Sequence, residues 1–473
     1  MSRFPFSAVD REQLRRAGIP EAEAERQLDL LAGLPARLRL LRPCTVGDGV
    51  LRLTAERREE LARAGAAARD AGRLLKFVPA SGAATRMFRG LTAVLARLPG
   101  CGLAELARRA VQGDLEAGEA VRLAVALPRL ALGVELARHL GFSPTALAEL
   151  CASRPVADWL GPLLDAGGLD AARRPKALLP FHLAADGPRT AFVEQLLEGA
   201  PYLRDAAGTA RFHFTVPPGS EPAFAAELAR ARRLVANGCE LAVEFSRQSH
   251  ASDTLALGTD GAPARAADGA LLLRPSGHGA LLPNLAAAGG DLVAIKNIDN
   301  VLPAHRHDEI ARWQLVLAGL AAELGAARER DDRPLRVAAV VPAAGEPGGG
   351  PFWTTSDGGA TGGAQIVEAS QVDLDDAEQR RVWEASTHFN PVDLVCALRD
   401  RHGRAFALEA FVDPRTAIVT RKHEGGREIR VLERPGLWNG AMAGWETVFV
   451  ELPGWTFAPV KTVLDLARPE HAS

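Results

Sequence analysis

The sequence predicts an α/β fold built on a mainly parallel sheet with helices on both faces. Short apolar runs of strand length recur at 74–78, 212–216, 241–245, 292–298 and 336–341. Amphipathic stretches at 189–199, 221–236 and 308–326 separate several of them. Compact apolar runs without polar alternation, interleaved with helices, belong to strands buried on both sides.

Residues 1–70 read as an N-terminal helical region. Asp10 with Gln13 fits a capping box, Pro20 suits a helix start, and Leu28, Leu31 and Leu34 recur at helical spacing. Residues 71–345 form the main α/β domain, interrupted at about 91–170 by an Ala-, Leu- and Arg-rich stretch that reads as an inserted helical lobe. The glycine density of 343–363 predicts a flexible or ligand-shaped loop. Beyond it, 364–369, 406–412, 416–420, 427–433 and 446–452 make 346–473 a strand-rich C-terminal subdomain.

At about 150 residues per domain, 473 residues suffice for two or three units. The formal charge of −2 provides no basic stripe, which argues against nucleic acid or an anionic membrane as partner. There is no signal-like N-terminus, no apolar run of membrane-spanning length and no CxxC pair among five cysteines, so a soluble cytoplasmic protein with reduced thiols is expected. Oligomeric state is not legible.

Only five of the 56 basic residues are lysines, and Lys76, Lys176, Lys296 and Lys461 all lie in segments that look built for phosphate. Around Ser81, Gly82, Ala83 and Thr85 a strand runs into a small-residue turn and then a helix. Such a turn offers backbone N–H groups to an anion, and Arg86 adds charge-assisted bonds. The segment lacks both the P-loop ending and GxGxxG spacing. Lys176 follows Pro175, which predicts an extended loop with its ammonium free for a ligand. Asn297 and Asp299 end an apolar strand, where one carboxylate plus substrate phosphates suits Mg²⁺. Three other constellations carry less. His305, His307 and Asp308 fit a solvated helix start better than a metal cluster. Ser276 beside His278 lacks a nucleophile elbow. Trp438, Trp445 and Trp455 fit packing better than base stacking.

In this order the glycine turn, the Pro-Lys pair and the strand-end aspartate resemble the sugar-nucleotide pyrophosphorylases. Further segments extend the likeness to the eukaryotic-type UDP-sugar enzymes: 274–280 with its Gly277-His278-Gly279 loop, 365–371 with Glu368, 386–390 with His388 and Asn390, and 456–465 with Lys461. The chain is also identified as a member of a bacterial family, domain of unknown function 4301, by FVPASGAATRMF, KNIDN, THFNPVDLV and PGLWNGAMA. The resemblance implies a three-layer nucleotide-diphospho-sugar transferase (GT-A-like) fold. It implies a Mg²⁺-dependent nucleotidyltransferase joining a nucleoside triphosphate, UTP by resemblance only, to a sugar 1-phosphate. It assigns Arg86, Lys176 and Lys461 to the phosphates, with Ser81, Gly82, Ala83 and Thr85 beside them. Asp299 and Asp393 would hold metal, and Gln248, Gly277, His278, Gly279, Asn297, Glu368, His388 and Asn390 would contact base or sugar. Ala83 and Ala84 stand where relatives favour glycine, which leaves less room in that loop. A non-catalytic nucleotide or sugar-nucleotide sensor and a glycosyltransferase are the alternatives on this fold.

Overall fold

A computed structural model describes residues 6–33, 37–235, 238–327, 332–345, 348–355, 363–424 and 426–472. Seven strands form the body of the central sheet: β1 (Leu74–Pro79), β2 (Thr209–Thr215), β3 (Glu240–Ser246), β4 (Leu292–Lys296), β5 (Leu335–Pro342), β6 (Asp393–Ala397) and β7 (Glu446–Glu451). Their spatial order is β3-β2-β1-β4-β6-β5-β7. All neighbours run parallel except β6, which is antiparallel to both β4 and β5. The sheet is therefore mainly parallel, and every expected strand of its body is present.

Side-chain parity distributes each strand between two cores. On β1, Leu74 and Val78 enter one hydrophobic cluster, and Leu75 and Phe77 enter the other. Successive residues of a strand face opposite sides, so a sheet covered on both faces needs apolar residues at both parities. Three helices back the first face: α1 (Ala55–Asp70), α2 (Ala191–Leu203) and α3 (His307–Ala326). The contact between α1 and α3 is close enough to require glycine on both sides. A Cβ at Gly65 would lie 1.9 Å from the Leu315 carbonyl oxygen, and one at Gly319 would lie 1.9 Å from that of Leu61.

The lobe expected at 91–170 is a bundle of short helices running from Arg89–Arg97 to Ala157–Leu164, and its core is continuous with that of the first face. The C-terminal third covers the second face with Leu437, Trp438, Met442 and Trp445. It also contributes strands Ile418–Glu424 and Arg427–Glu433 to a separate antiparallel sheet. No helix among the described residues is long and apolar enough to cross a membrane.

Several local readings need correction. Residues 1–70 are not wholly helical: Leu40–Pro43, Thr45–Val46 and Gly49–Leu51 are strands, the last two extending the central sheet beyond β7. Ser7, not Asp10, caps the first helix. Asp10 sits three residues in and completes the box, while Gln13 exchanges hydrogen bonds with the backbone of Leu271. Leu34 lies outside the described residues. Residues 406–412 hold a 3₁₀ turn (Leu408–Phe411) instead of a strand. Within the glycine-dense stretch, Gly350–Thr354 is a strand seated by the buried Phe352; residues 346–347 and 356–362 of it lie outside the described set.

Candidate functional site

The site is built where the parallel strands end. β1 leads into an open turn in which Gly82, Ala83, Thr85 and Arg86 are exposed and Ser81 is half-buried. Only a 3₁₀ turn (Ala84–Arg86) follows directly, and the α-helix begins at Arg89. No atom lies within 4 Å of a Cβ built at Gly82, so the space above the turn is open. The turn is stapled to the segment that carries Lys176. Ala84 N–H donates to the Arg174 carbonyl at 3.1 Å, Lys176 N–H donates to the Gly82 carbonyl at 3.0 Å, and the Thr85 hydroxyl donates to the Ala172 carbonyl at 3.3 Å. Both ends of the helical lobe are thus held together at this turn, and one of its expected free N–H groups is already used.

Lys176 is not free. Its Nζ donates to Asp299 Oδ2 at 2.8 Å, and Lys461 Nζ donates to the same oxygen at 3.0 Å. The tail reaches there through backbone pairing. Val460 N–H donates to the Asp299 carbonyl at 3.1 Å, and Ala458 N–H donates to Asn300 Oδ1 at 3.2 Å. Asp465 Oδ2 accepts from the N–H groups of Lys461 and Thr462, which fixes the turn that aims the lysine. Asp299 is buried. Desolvation by itself would raise its carboxyl, but the two ammonium groups overcome this and hold it below the usual carboxylate range. Burial lowers the Lys176 ammonium despite its partner. Asp299 Oδ1 is buried without a hydrogen-bond partner.

Other expected contacts are placed differently. Lys76 and Lys296 are fully buried on Glu198 rather than facing a ligand, because their strand parity turns them toward α2. Asp393, expected as a second metal carboxylate, is buried opposite Lys296, accepts from Gln314 Nε2 at 2.7 Å, and has its carboxyl pushed up by burial. Asn390 spends its side chain on the backbone, donating to the Ala339 carbonyl and accepting from Val392 N–H, which supports the positive φ of 53° at Val392. It is a turn former, so its amide is not free for sugar hydroxyls.

His278 lies flat on Trp438, with ring centroids 3.9 Å apart and planes at 7°, and its Nδ1 accepts Leu437 N–H. Gly279 is packed against the Pro435 carbonyl, and Gly277 takes a positive φ beside Glu433. Glu368 accepts from Asn439 Nδ2 at 2.7 Å, and its Cγ would lie 3.5 Å from a Cβ at Gly349, whose carbonyl accepts Asn390 N–H. Glu368 and Asn390 are thereby neighbours. His388 Nδ1 meets the Thr387 hydroxyl, and its Nε2 lies 3.4 Å from Glu451. Gln248 reaches Asp253, and the Asn297 carbonyl accepts from Gln195 Nε2. His307, expected in solvent, is buried, 3.0 Å from the Leu302 carbonyl and 3.4 Å from Glu194. Trp438 and Trp445 are buried packing residues, as expected.

Sequence reasoning missed Glu194, Gln195 and Glu198, three buried polar residues within one turn and a half of α2. Their signal was available as a polar cluster on an otherwise apolar helix, AFVEQLLEGAPYL.

The sequence profile of a family described as domain of unknown function (DUF4301) matches residues 7–330 and 323–472. No curated protein sequence matches the chain. Among solved structures, the uridine diphosphate N-acetylglucosamine pyrophosphorylase from Trypanosoma brucei in complex with inhibitor is similar at a TM-score of 0.52. It is 14% identical, and the match covers 98% of this chain and 79% of that one. The UDP-glucose pyrophosphorylase from Leishmania major aligns with a TM-score of 0.45 at 14% identity, over 98% of this chain and 79% of that one. At such identity the first likeness speaks to the fold alone.

Proposed function

This chain belongs to the DUF4301 family, and we propose that it is a nucleotidyltransferase that joins a nucleoside triphosphate, UTP by preference, to a sugar 1-phosphate with release of pyrophosphate. The observation that carries the reading is the convergence of Lys176 and Lys461, from segments far apart in the chain, on Asp299 beside the open Gly82 turn. Two cations held on one carboxylate are poised to exchange it for phosphate oxygens. The reactants are polyanions, so the chain's task is alignment and charge neutralisation, with no covalent nucleophile needed.

In this reading Gly82 and Arg86 take the triphosphate. Lys176 and Lys461 then approach its phosphates from two sides, and charge moving onto the departing pyrophosphate is met by fixed ammonium groups. Glu368, beside the Asn390 backbone, is the candidate for a sugar hydroxyl.

Asp299 Oδ1 fits a divalent cation because it is buried with no other partner. Among the described residues no group of three or more His, Cys, Asp or Glu side chains can hold a metal. A Mg²⁺ here would take one protein oxygen and complete its shell from substrate phosphates and water, as this ion commonly does. When bound it would supply further neutralisation of phosphate charge.

The test is pyrophosphate release, with Mg²⁺, across a matrix of nucleoside triphosphates and sugar 1-phosphates, with the Asp299→Ala protein as blank. Release for one pair that disappears in the variant supports the reading and names both substrates. Silence from a folded protein that still binds a nucleotide overturns it in favour of a sensor. Transfer or hydrolysis from ready-made UDP-sugars, independent of pyrophosphate, would favour a glycosyltransferase.

A further inference from the structure

We propose that Glu194 is a positioning residue: it gathers the histidines that follow Lys176, Asp299 and Lys461 along the chain and so holds the three site segments in register. The purpose of that register rests on the nucleotidyl-transfer reading, whereas the coupling itself does not.

Each site segment runs from its functional group to a buried histidine. After Lys176 the chain enters the strand Pro180–Ala184, which carries His182. After the Asp299 turn comes His307, the first residue of α3. The tail bearing Lys461 ends in a 3₁₀ turn, Pro469–His471. His182 Nδ1 lies 3.2 Å from Glu194 Oε1, and His307 Nε2 lies 3.4 Å from Glu194 Oε2. His471 joins at one remove, with its Nδ1 2.9 Å from His182 Nε2 and the two rings stacked with centroids 5.2 Å apart. Glu194 is 1% exposed. Burial by itself would raise its carboxyl, yet His182 and His307 hold it down to about 2. Electrostatically, Glu198 also faces His307, and Asp465 and Arg468 face His471.

A second link supports the first. Gln195, next to Glu194 on α2, donates to the Asn297 carbonyl just before Asp299. One helix thus touches the segments of Lys176 and Asp299 directly and that of Lys461 through His182. A carboxylate sealed from water and in contact with imidazoles from separate segments costs much more to separate from them than an exposed one. The segments are therefore expected to loosen together when it is neutralised.

The test is hydrogen exchange on the full chain, comparing wild type with Glu194→Gln, which keeps the shape and removes the charge. Exchange over 176–184, 300–308 and 458–472 should rise together by about tenfold, with β2 and β3 unchanged. Wild-type rates in those segments, or an equal rise across the whole sheet, would overturn the proposal. If Glu194→Gln does not fold, His471→Gln should loosen 458–472 and 180–184 while leaving 300–308 as it was, and wild-type exchange in 180–184 would overturn the coupling. Adding inorganic pyrophosphate with Mg²⁺ separates the two readings. Protection of 176–184 and 458–472 in the wild type, weakened in Glu194→Gln, supports positioning for phosphate. A joint rise without any pyrophosphate protection in the wild type would overturn the phosphate role alone, with the coupling standing on the exchange data.

Discussion

Lys76 and Lys296 stand on adjacent parallel strands and share one oxygen of Glu198, at 3.3 and 2.6 Å, with all three side chains sealed from solvent. Removing the carboxylate strands two buried ammonium groups, and breaking a buried ion pair costs about 3–5 kcal/mol. Glu198→Gln should therefore lose about that much stability in urea unfolding. The triple replacement Lys76→Met, Glu198→Leu, Lys296→Met should lose less than Glu198→Gln alone. A larger loss in the triple variant would show that the charges contribute net stability.

Lys461 is half-exposed at the rim of the site, so its replacement separates chemistry from folding. Lys461→Met should leave unfolding within about 0.5 kcal/mol of wild type. Under the proposed reading it should lower turnover by about 10²–10³-fold, as loss of one preorganised charge at a transition state does. Unaltered turnover would remove the residue from the phosphate site.

Gly82 offers a sharper probe of where the nucleotide lies. A Cβ there meets no protein atom within 4 Å, so Gly82→Ala should fold with wild-type stability. Nucleotide affinity, measured by calorimetry, should fall because the added methyl occupies ligand space. Unchanged affinity would place the nucleotide elsewhere.

His278 sets an acid dependence. Burial pushes its pKa down to about 4 from the ordinary 6.5. Between those values the unfolded chain binds a proton that the folded chain does not, so stability falls as pH drops from about 6.5 to about 4. The urea midpoint measured across that range should decline. His278→Asn, which keeps an acceptor for Leu437 N–H, should show a shallower decline, and an equal slope in both proteins would assign the effect to other groups.

The sheet was legible because its strands are continuous apolar runs. The strands at 40–51 were not, since two to four residues of mixed polarity carry no period, and what makes them strands is pairing with distant partners. Motif context drew attention to Lys176, Lys461 and Asp299, which the structure brings together, but the hydrogen bonds that join them had no local signature. The same context misled for Lys76. Strand parity sets it opposite Leu75 and Phe77, on the face that α2 covers, so a residue turned into the core was read as part of a segment facing phosphate. Asn390 was misread because a side chain that completes a turn looks, in sequence, like one free for a ligand.

The uneven burial of the five lysines makes the molecule its own footprinting reagent. Lys76 and Lys296 are sealed and Lys176 is 14% exposed, leaving Lys461 and Lys422, at 53% and 43%, as the reactive side-chain amines. Brief acylation at neutral pH should modify chiefly these two and the α-amino group. Lys422, out on the Ile418–Glu424 strand, then serves as an internal reference, and the yield at Lys461 becomes a direct gauge of whether a compound has entered the site.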